Sequence, residues 1–261
     1  MVDRADITLI VSSYNRNHLF ERCWPTWFEN KTWPAHVKIV NDGGTDLGGI
    51  VDDMRVACPG LDIEYVSRNK GHSMWSNPAI PHNWGVRTSK TKYVLIIDPE
   101  VMFISDVIPA LIEGIEEDPK SSWSAGVCYL VETEFMHAAQ NLTVEQIVNH
   151  PEVTNDVTKK TIVAVGGPAH CCRAWLRLRY IEMGGKDERY LSWGYEDLDM
   201  AHRLIRKGGR DMAHPDAKVI HLGHGLPGPL LVRPQNESWN LWQFHSPADG
   251  VANRGLAWGQ L

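Results

Sequence analysis

The apolar positions of this chain fall into short continuous runs separated by longer stretches with helical spacing. Ile7 to Ser12 is an apolar, β-branched run that predicts a buried strand. Val37 to Val40, Asp62 to Val66 and Tyr93 to Ile97 predict three more strands, and Ser124 to Val131, Thr161 to Val165 and Ala217 to Ile220 predict the later ones. Helices are expected over His18–Trp27, Leu47–Val56, Asp106–Glu117, Thr143–Asn149, Ala174–Met183 and Glu196–Lys207. The last two are each followed by a Gly-Gly pair that can terminate a helix. Strands alternating with helices at short intervals predict an α/β, Rossmann-like fold: a mostly parallel central sheet flanked by helices. In such a sheet ligands bind beyond the carboxyl ends of the strands. Three polar clusters directly follow predicted strands: Ser13-Tyr14-Asn15-Arg16, Asn41-Asp42 and Asp98-Pro99-Glu100. They are expected to meet at one edge.

Composition narrows the class. The 261 residues suffice for one large α/β domain or two small ones, and 43% hydrophobic with 22% charged residues is ordinary for a folded protein. A formal net charge of −6 makes nucleic acid a poor default partner. No apolar run is long enough to span a bilayer, and the acidic start Met-Val-Asp-Arg-Ala-Asp does not read as a secretory signal. Five cysteines without regular spacing do not form a disulfide framework, so the cytoplasm is the expected compartment. Eleven tryptophans are spread along the chain. Most are expected in the core, but indole faces also stack on pyranose rings.

The chemistry-bearing residues follow from that layout. Asp98 and Glu100 offer two carboxylates across a stiff Pro99 at a strand end. Hard cations such as Mg²⁺ and Mn²⁺ take carboxylate oxygens, with some imidazole for Mn²⁺. A simple turn-forming role is the alternative. Either His221 or His224 could complete a metal site. A hydrolytic zinc site on His214, His221 and His224 lacks the helical spacing and intervening Glu of the common motif. The densest signal is Gly184-Gly185-Lys186-Asp187-Glu188, continuing through Trp193-Gly194-Tyr195 to Glu196-Asp197-Leu198-Asp199. A carboxylate at this helix start could deprotonate an acceptor hydroxyl, or could merely stabilise the helix dipole. Asp199 and Arg203 are spaced to pair.

From about Ile7 to Gly225 the chain resembles the family-2-type glycosyltransferases of the GT-A fold. Ser13-Tyr14-Asn15-Arg16 is similar to the family's opening turn, so the resemblance places these four residues at the donor. Asn41-Asp42-Gly43-Gly44-Thr45-Asp46 is similar to its Asp-Asp-Gly-Ser-Thr-Asp segment, which puts the nucleobase on Asp42; Asn41 departs from the family's first Asp. Asn69-Lys70-Gly71 and Asn83-Trp84-Gly85 resemble segments near the diphosphate, implicating Asn69, Gly71 and Asn83, with His82 where the family has Arg. Asp98-Pro99-Glu100 takes the place of the Asp-x-Asp signature. This implies Asp98 beside the ribose and metal, and Glu100 as a metal ligand. The Gly184 to Arg203 block resembles the Trp-Gly-x-Glu-Asp segment of β-galactosyltransferase-like members. That likeness places Trp193 and Gly194 at the donor, the catalytic base on Asp197, and a sugar-holding role on Glu196. His221-Leu222-Gly223-His224 is similar to a segment of polypeptide N-acetylgalactosaminyltransferases whose last His binds metal, which favours His224 over His221.

The resemblance implies a hexosyltransferase that uses Mn²⁺ or Mg²⁺ and a nucleotide-sugar donor, a UDP-sugar, and transfers to an acceptor hydroxyl with inversion. The acceptor is left open among saccharide, protein, lipid-linked glycan and modified nucleobase. A single catalytic domain is expected over 1–225, with a nucleotide-binding half over about 1–105, an acceptor half over 106–225 and a loop-rich tail over 226–261. The rival functions are a nucleotidyltransferase and a catalytically inactive, carbohydrate-binding protein of the same fold.

Overall fold

The computed structural model describes residues 3–29, 34–68, 78–131, 142–149, 161–163, 169–190, 194–224 and 247–260. The first strands and helices are β1 (Ile7–Ser13), α1 (Asn17–Phe28), β2 (His36–Asn41), α2 (Gly48–Ala57), β3 (Asp62–Ser67), α3 (Ala79–Thr88) and β4 (Tyr93–Ile97). They are followed by β5 (Val101–Phe103), α4 (Val107–Glu117), β6 (Ser122–Val131), α5 (Val144–Val148), β7 (Thr161–Val163) and β8 (Ala169–Leu176). The last elements are α6 (Arg177–Glu182), α7 (Glu196–Arg206) and β9 (Asp211–Leu222).

The strands form one sheet in the order β3-β2-β1-β4-β8-β6-β9-β5, with β7 paired to β6. β3, β2, β1 and β4 are parallel neighbours, as expected for strands joined by helical crossovers. β6 and β9 are also parallel, while β8 and β5 run antiparallel to their partners. Register aligns Ser13 with Asn41 and Asn41 with Ser67, so the polar strand ends stand in one row at the carboxyl edge.

Two apolar layers hold the sheet. On one face Leu9, Val11, Ile39, Leu95 and Ile97 pack under α1, α2 and α4. On the other, Ile10, Val94, Ile96 and Trp175 pack against Val86 of α3, Tyr180 of α6 and Met200 and Leu204 of α7. This two-sided burial explains the continuous apolar runs of β1 and β4.

One predicted helix is corrected. Residues 174–176 extend β8 instead of opening the expected Ala174–Met183 helix, because Ala174, Trp175 and Leu176 pair with Leu95, Val94 and Tyr93 of β4. Only Arg177–Glu182 is helical there. Helix α3 and strand β5 carry too little periodic signal to have been foreseen, and β9 begins well before the predicted Ala217.

Two anchors matter for the site. Trp27 of α1 is fully buried and donates its indole N–H to the Val101 carbonyl at 2.6 Å, and Thr26 Oγ1 accepts the Phe103 N–H at 3.0 Å. Helix α1 thereby fixes β5, and with it Glu100. On the opposite face Arg203 of α7 is fully buried against Asp199 at 2.7 Å. Its remaining N–H groups reach the carbonyls of Met183 at 2.9 Å and Gly185 at 2.8 Å. Arg203 therefore ties α7 to the turn that precedes it. Replacing Arg203 by Ala would remove one partner of a buried ion pair, and should destabilise the fold by about 3–5 kcal/mol. The urea midpoint at unchanged slope measures this. A loss below about 1 kcal/mol, the scale of an exposed pair, would contradict it.

Candidate active site

The carboxyl edge carries a hydrogen-bonded loop system. The Ser13 carbonyl accepts the Asp42 N–H at 2.7 Å, and Arg68, just past β3, donates to Asp42 Oδ1 at 2.5 Å. Asp42 is buried, so Arg68 supplies the compensation its carboxylate needs. Asn15 adopts φ +54 and takes the Thr45 N–H on Oδ1 at 3.0 Å. A Cβ on Gly44, itself at φ +82, would lie 2.0 Å from that same oxygen. Glycine is therefore required there. Asn41 donates to the Thr45 carbonyl at 3.1 Å and so braces the same loop from β2. Tyr14 and Arg16 are half-buried at the rim.

The metal candidates converge. β5 pairs antiparallel with β9, setting Val101 opposite His221, and the Leu222 N–H donates to the Glu100 carbonyl at 2.9 Å. This ladder places Glu100 Oε1 2.8 Å from His224 Nε2 and 3.7 Å from His221 Nε2. One ligand atom from each of the three lies within 4.8 Å of the others. Asp98 Oδ2 stands 4.0 Å from His221 Nε2, at the edge of this group. Glu100 Oε2 is buried and has no hydrogen-bond partner among the described residues. An orphaned carboxylate oxygen beside two imidazoles fits a divalent cation, and the mixed oxygen and nitrogen donors suit Mn²⁺ better than Mg²⁺. His221, ranked below His224 from the sequence, lies within this set, and Asp98, expected as a ligand, lies at its edge. Arg16 reaches His224 Nδ1 at 2.9 Å.

Electrostatics separates the two carboxylates of the Asp98-Pro99-Glu100 turn. Burial would raise Glu100, but the His224 hydrogen bond, His221 and Arg16 outweigh it and hold its pKa below the usual range. Asp98 is pushed up, first by desolvation in the crevice and then by Glu100 and Asp197. Asp98 also acts on Lys186, so the metal turn and the start of α7 share one field.

That start is built unusually. Gly194 has φ +93 and Tyr195, at the N-cap, φ +68, which swings the chain sharply into α7. Asp197 Oδ1 then meets Lys186 Nζ at 2.8 Å. Burial alone would raise Asp197, yet Lys186 and then Arg173 hold it well below the usual carboxylate range. His170 is itself pushed down to about 3, chiefly by burial and then by Arg173. It is a neutral neighbour at physiological pH. His82 is buried, bonds Ser12 Oγ at 2.9 Å and is likewise held neutral by burial and by Lys186. Glu196 is buried beside Asp197.

Ser13, Asp42, Asp98, Glu100, Glu196, Asp197, His221 and His224 all stand at or near the carboxyl edge of the sheet. Asn83 is fully buried beneath it, and its amide is occupied by neighbours from the 180–188 region. Asn69, Gly71 and Trp193 lie outside the described residues. Lys186, His170, Arg173 and Arg68 had no assigned role in the sequence. A buried lysine reads like a surface one until its neighbours are known. If Glu100 and the two histidines hold the ion, Glu100→Gln and His224→Ala should each weaken Mn²⁺ binding by more than roughly tenfold, since even outer partners of metal ligands cost that much. Titration followed by electron paramagnetic resonance checks it, and wild-type affinity in both variants would contradict it.

No protein-family model matches the chain. Over 244 aligned residues it is 22% identical to a chondroitin synthase of Pasteurella multocida (strain Pm70). The alignment takes in 77% of this chain and 23% of that protein, so the chain spans about a quarter of the length of this curated relative. Two solved structures superpose on most of it. One is the mannosyltransferase PcManGT from Pyrobaculum calidifontis in complex with GDP-Man and Mn²⁺. The match has a TM-score of 0.59 and 17% identity, and covers 92% of this chain and 61% of that one. The other is GalNAc-T7 with UDP, GalNAc and Mn²⁺, with a TM-score of 0.62, 13% identity, and 90% of this chain covered against 48% of that one. Strand order, carboxyl-edge site and these superpositions together establish that the chain has the GT-A fold of glycosyltransferases.

Proposed function

We propose that this protein is a metal-dependent glycosyltransferase that moves a hexose from a UDP-sugar to a saccharide hydroxyl with inversion. The observation that carries the reading is that Asp98, at the edge of the Glu100–His221–His224 cluster, lies in the electrostatic field of the Asp197–Lys186 pair. The Mn²⁺ complexes of the two structural neighbours and the chondroitin synthase relative support it.

Each group has a task. Asp42, braced by Arg68, reads the nucleobase, with Ser13, Tyr14, Asn15 and Arg16 forming the rest of the donor rim. Asn69, Gly71, Trp193 and Gly194 complete the donor contacts on the strength of the sequence resemblance. Asp98, Glu100, His221 and His224 would hold a divalent ion, which would supply positive charge to offset that of the leaving diphosphate. Asp197 is ionised at neutral pH and is therefore able to accept a proton. The acceptor oxygen attacks the anomeric carbon from the side opposite the diphosphate. The carbon–oxygen bond to the diphosphate breaks as the hydroxyl proton passes to Asp197. Glu196 holds the sugar undergoing transfer.

Incubation with UDP-sugars, Mn²⁺ and oligosaccharide acceptors should release a nucleoside diphosphate and lengthen the acceptor. Release of pyrophosphate from a nucleoside triphosphate would instead identify a nucleotidyltransferase. Asp197→Asn should lower kcat by roughly 10²–10⁴-fold, the usual worth of a general base, and leave donor binding intact. Normal turnover by that variant would remove Asp197 from the role of base.

A further inference from the structure

The turn that carries Lys186 is held more tightly than its glycine-rich sequence suggests. Gly184 and Gly185 both have positive φ, +76 and +72. A Cβ on Gly184 would lie 2.1 Å from the Ala252 carbonyl oxygen, and one on Gly185 2.4 Å from Asn83 Oδ1. Neighbours from two distant parts of the chain therefore press directly on the backbone.

Asn83, from α3, makes four hydrogen bonds there. Its Nδ2 donates to the Lys186 carbonyl and to Glu188 Oε1, both at 2.8 Å. Its Oδ1 accepts the Lys186 N–H at 2.9 Å and the Tyr180 hydroxyl at 2.8 Å. Asn253, from the C-terminal segment, closes the other side. Its Nδ2 donates to the carbonyls of Gly184 at 2.8 Å and Lys186 at 2.7 Å, and its Oδ1 takes the Glu188 N–H at 3.0 Å. The Lys186 N–H and carbonyl are thus both bound by side-chain amides. From this fixed backbone the Lys186 side chain runs through the interior, 7% exposed, to Asp197 Oδ1 at 2.8 Å. Asn83, which sequence resemblance placed near the diphosphate, has each amide N–H and both acceptor positions of its carbonyl engaged within the chain.

We infer that Lys186 is a positioning residue for Asp197, held in place by the paired amides of Asn83 and Asn253. The inference rests on the reading of Asp197 as base. A carboxylate at a helix start can rotate about χ1 and χ2. An ammonium locked on Oδ1 stops that rotation and leaves Oδ2 to meet the acceptor proton. The ammonium also keeps the partly shielded carboxylate charged. Geometry of this kind is worth a large factor in rate, because a reacting group misplaced by about 1 Å can cost roughly 10²-fold.

The test uses the full chain with Mn²⁺, a UDP-sugar and an acceptor. Lys186→Ala should lower kcat by roughly 10²-fold while the donor KM and the affinity for UDP stay close to wild type. Propylammonium should restore part of the lost kcat by filling the vacated space with a cation, whereas 1-propanol, equal in size and neutral, should not. Asn253→Ala lies outside every ligand contact proposed above and should show the same loss confined to kcat, in smaller measure. It serves as the deciding variant if Lys186→Ala does not fold. Wild-type kcat in the folded lysine variant, or equal rescue by 1-propanol, would overturn the inference. So would a parallel loss of UDP affinity, or wild-type kcat in Asn253→Ala. Asp197→Asn run alongside separates two failures. If it is inactive while Lys186→Ala is fully active, only the positioning role falls. If Asp197→Asn is itself active, the base assignment falls first.

Discussion

The short antiparallel ladder between β5 and β9 is the constraint on which this site depends. It sets Val101 against His221 and bonds the Leu222 N–H to the Glu100 carbonyl, so residues far apart in the sequence present their side chains to one point. Three residues of strand would be a weak support alone. Trp27 and Thr26 of α1 reinforce it from the buried side, and the core face of the sheet closes over both. A metal site needs ligand atoms held to a fraction of an ångström, and rigid elements do this better than loops.

The second constraint is charge. Asp98, Glu100, Glu196 and Asp197 crowd one region, Glu100 and Glu196 buried and Asp98 and Asp197 partly exposed, which would be costly if all were uncompensated. The chain answers differently at the two ends of the crevice. Glu100 is held ionised by imidazoles and Arg16, an arrangement that a divalent cation would complete. Asp197 is held ionised by a buried lysine. In the proposed reaction one end would stabilise a departing diphosphate and the other would receive a proton. His82 and His170, both kept neutral by burial, line this second end without adding charge.

Much of this was legible in the sequence, for a physical reason. Strands buried on both faces read as continuous apolar runs, so β1, β2 and β4 and the polar clusters at their ends were placed correctly. Asp98, Glu100 and His224 were singled out by their places after strands and by the family resemblance, with His221 ranked below His224. What failed was whatever tertiary contact decides. Residues 174–176 continue naturally into a helical pattern, and only pairing with β4 makes them strand. Lys186 sits in a Gly-Gly-Lys-Asp segment that looks solvent-facing, and its burial depends on Asn83 and Asn253, which are remote in sequence. The expected loop-rich tail contains, in residues 247–260, the segment that closes this clamp.

The central claim is that one ion sits between Glu100, His221 and His224, in the same crevice as Asp197. Crystals grown with Mn²⁺ and UDP, with diffraction recorded at the manganese absorption edge, address it directly. The account predicts a single strong anomalous peak within bonding distance of the Glu100 carboxylate and at least one imidazole Nε2, with the diphosphate on its open side and the Lys186–Asp197 pair facing it. A peak elsewhere, or UDP bound without any metal at these residues, would contradict it.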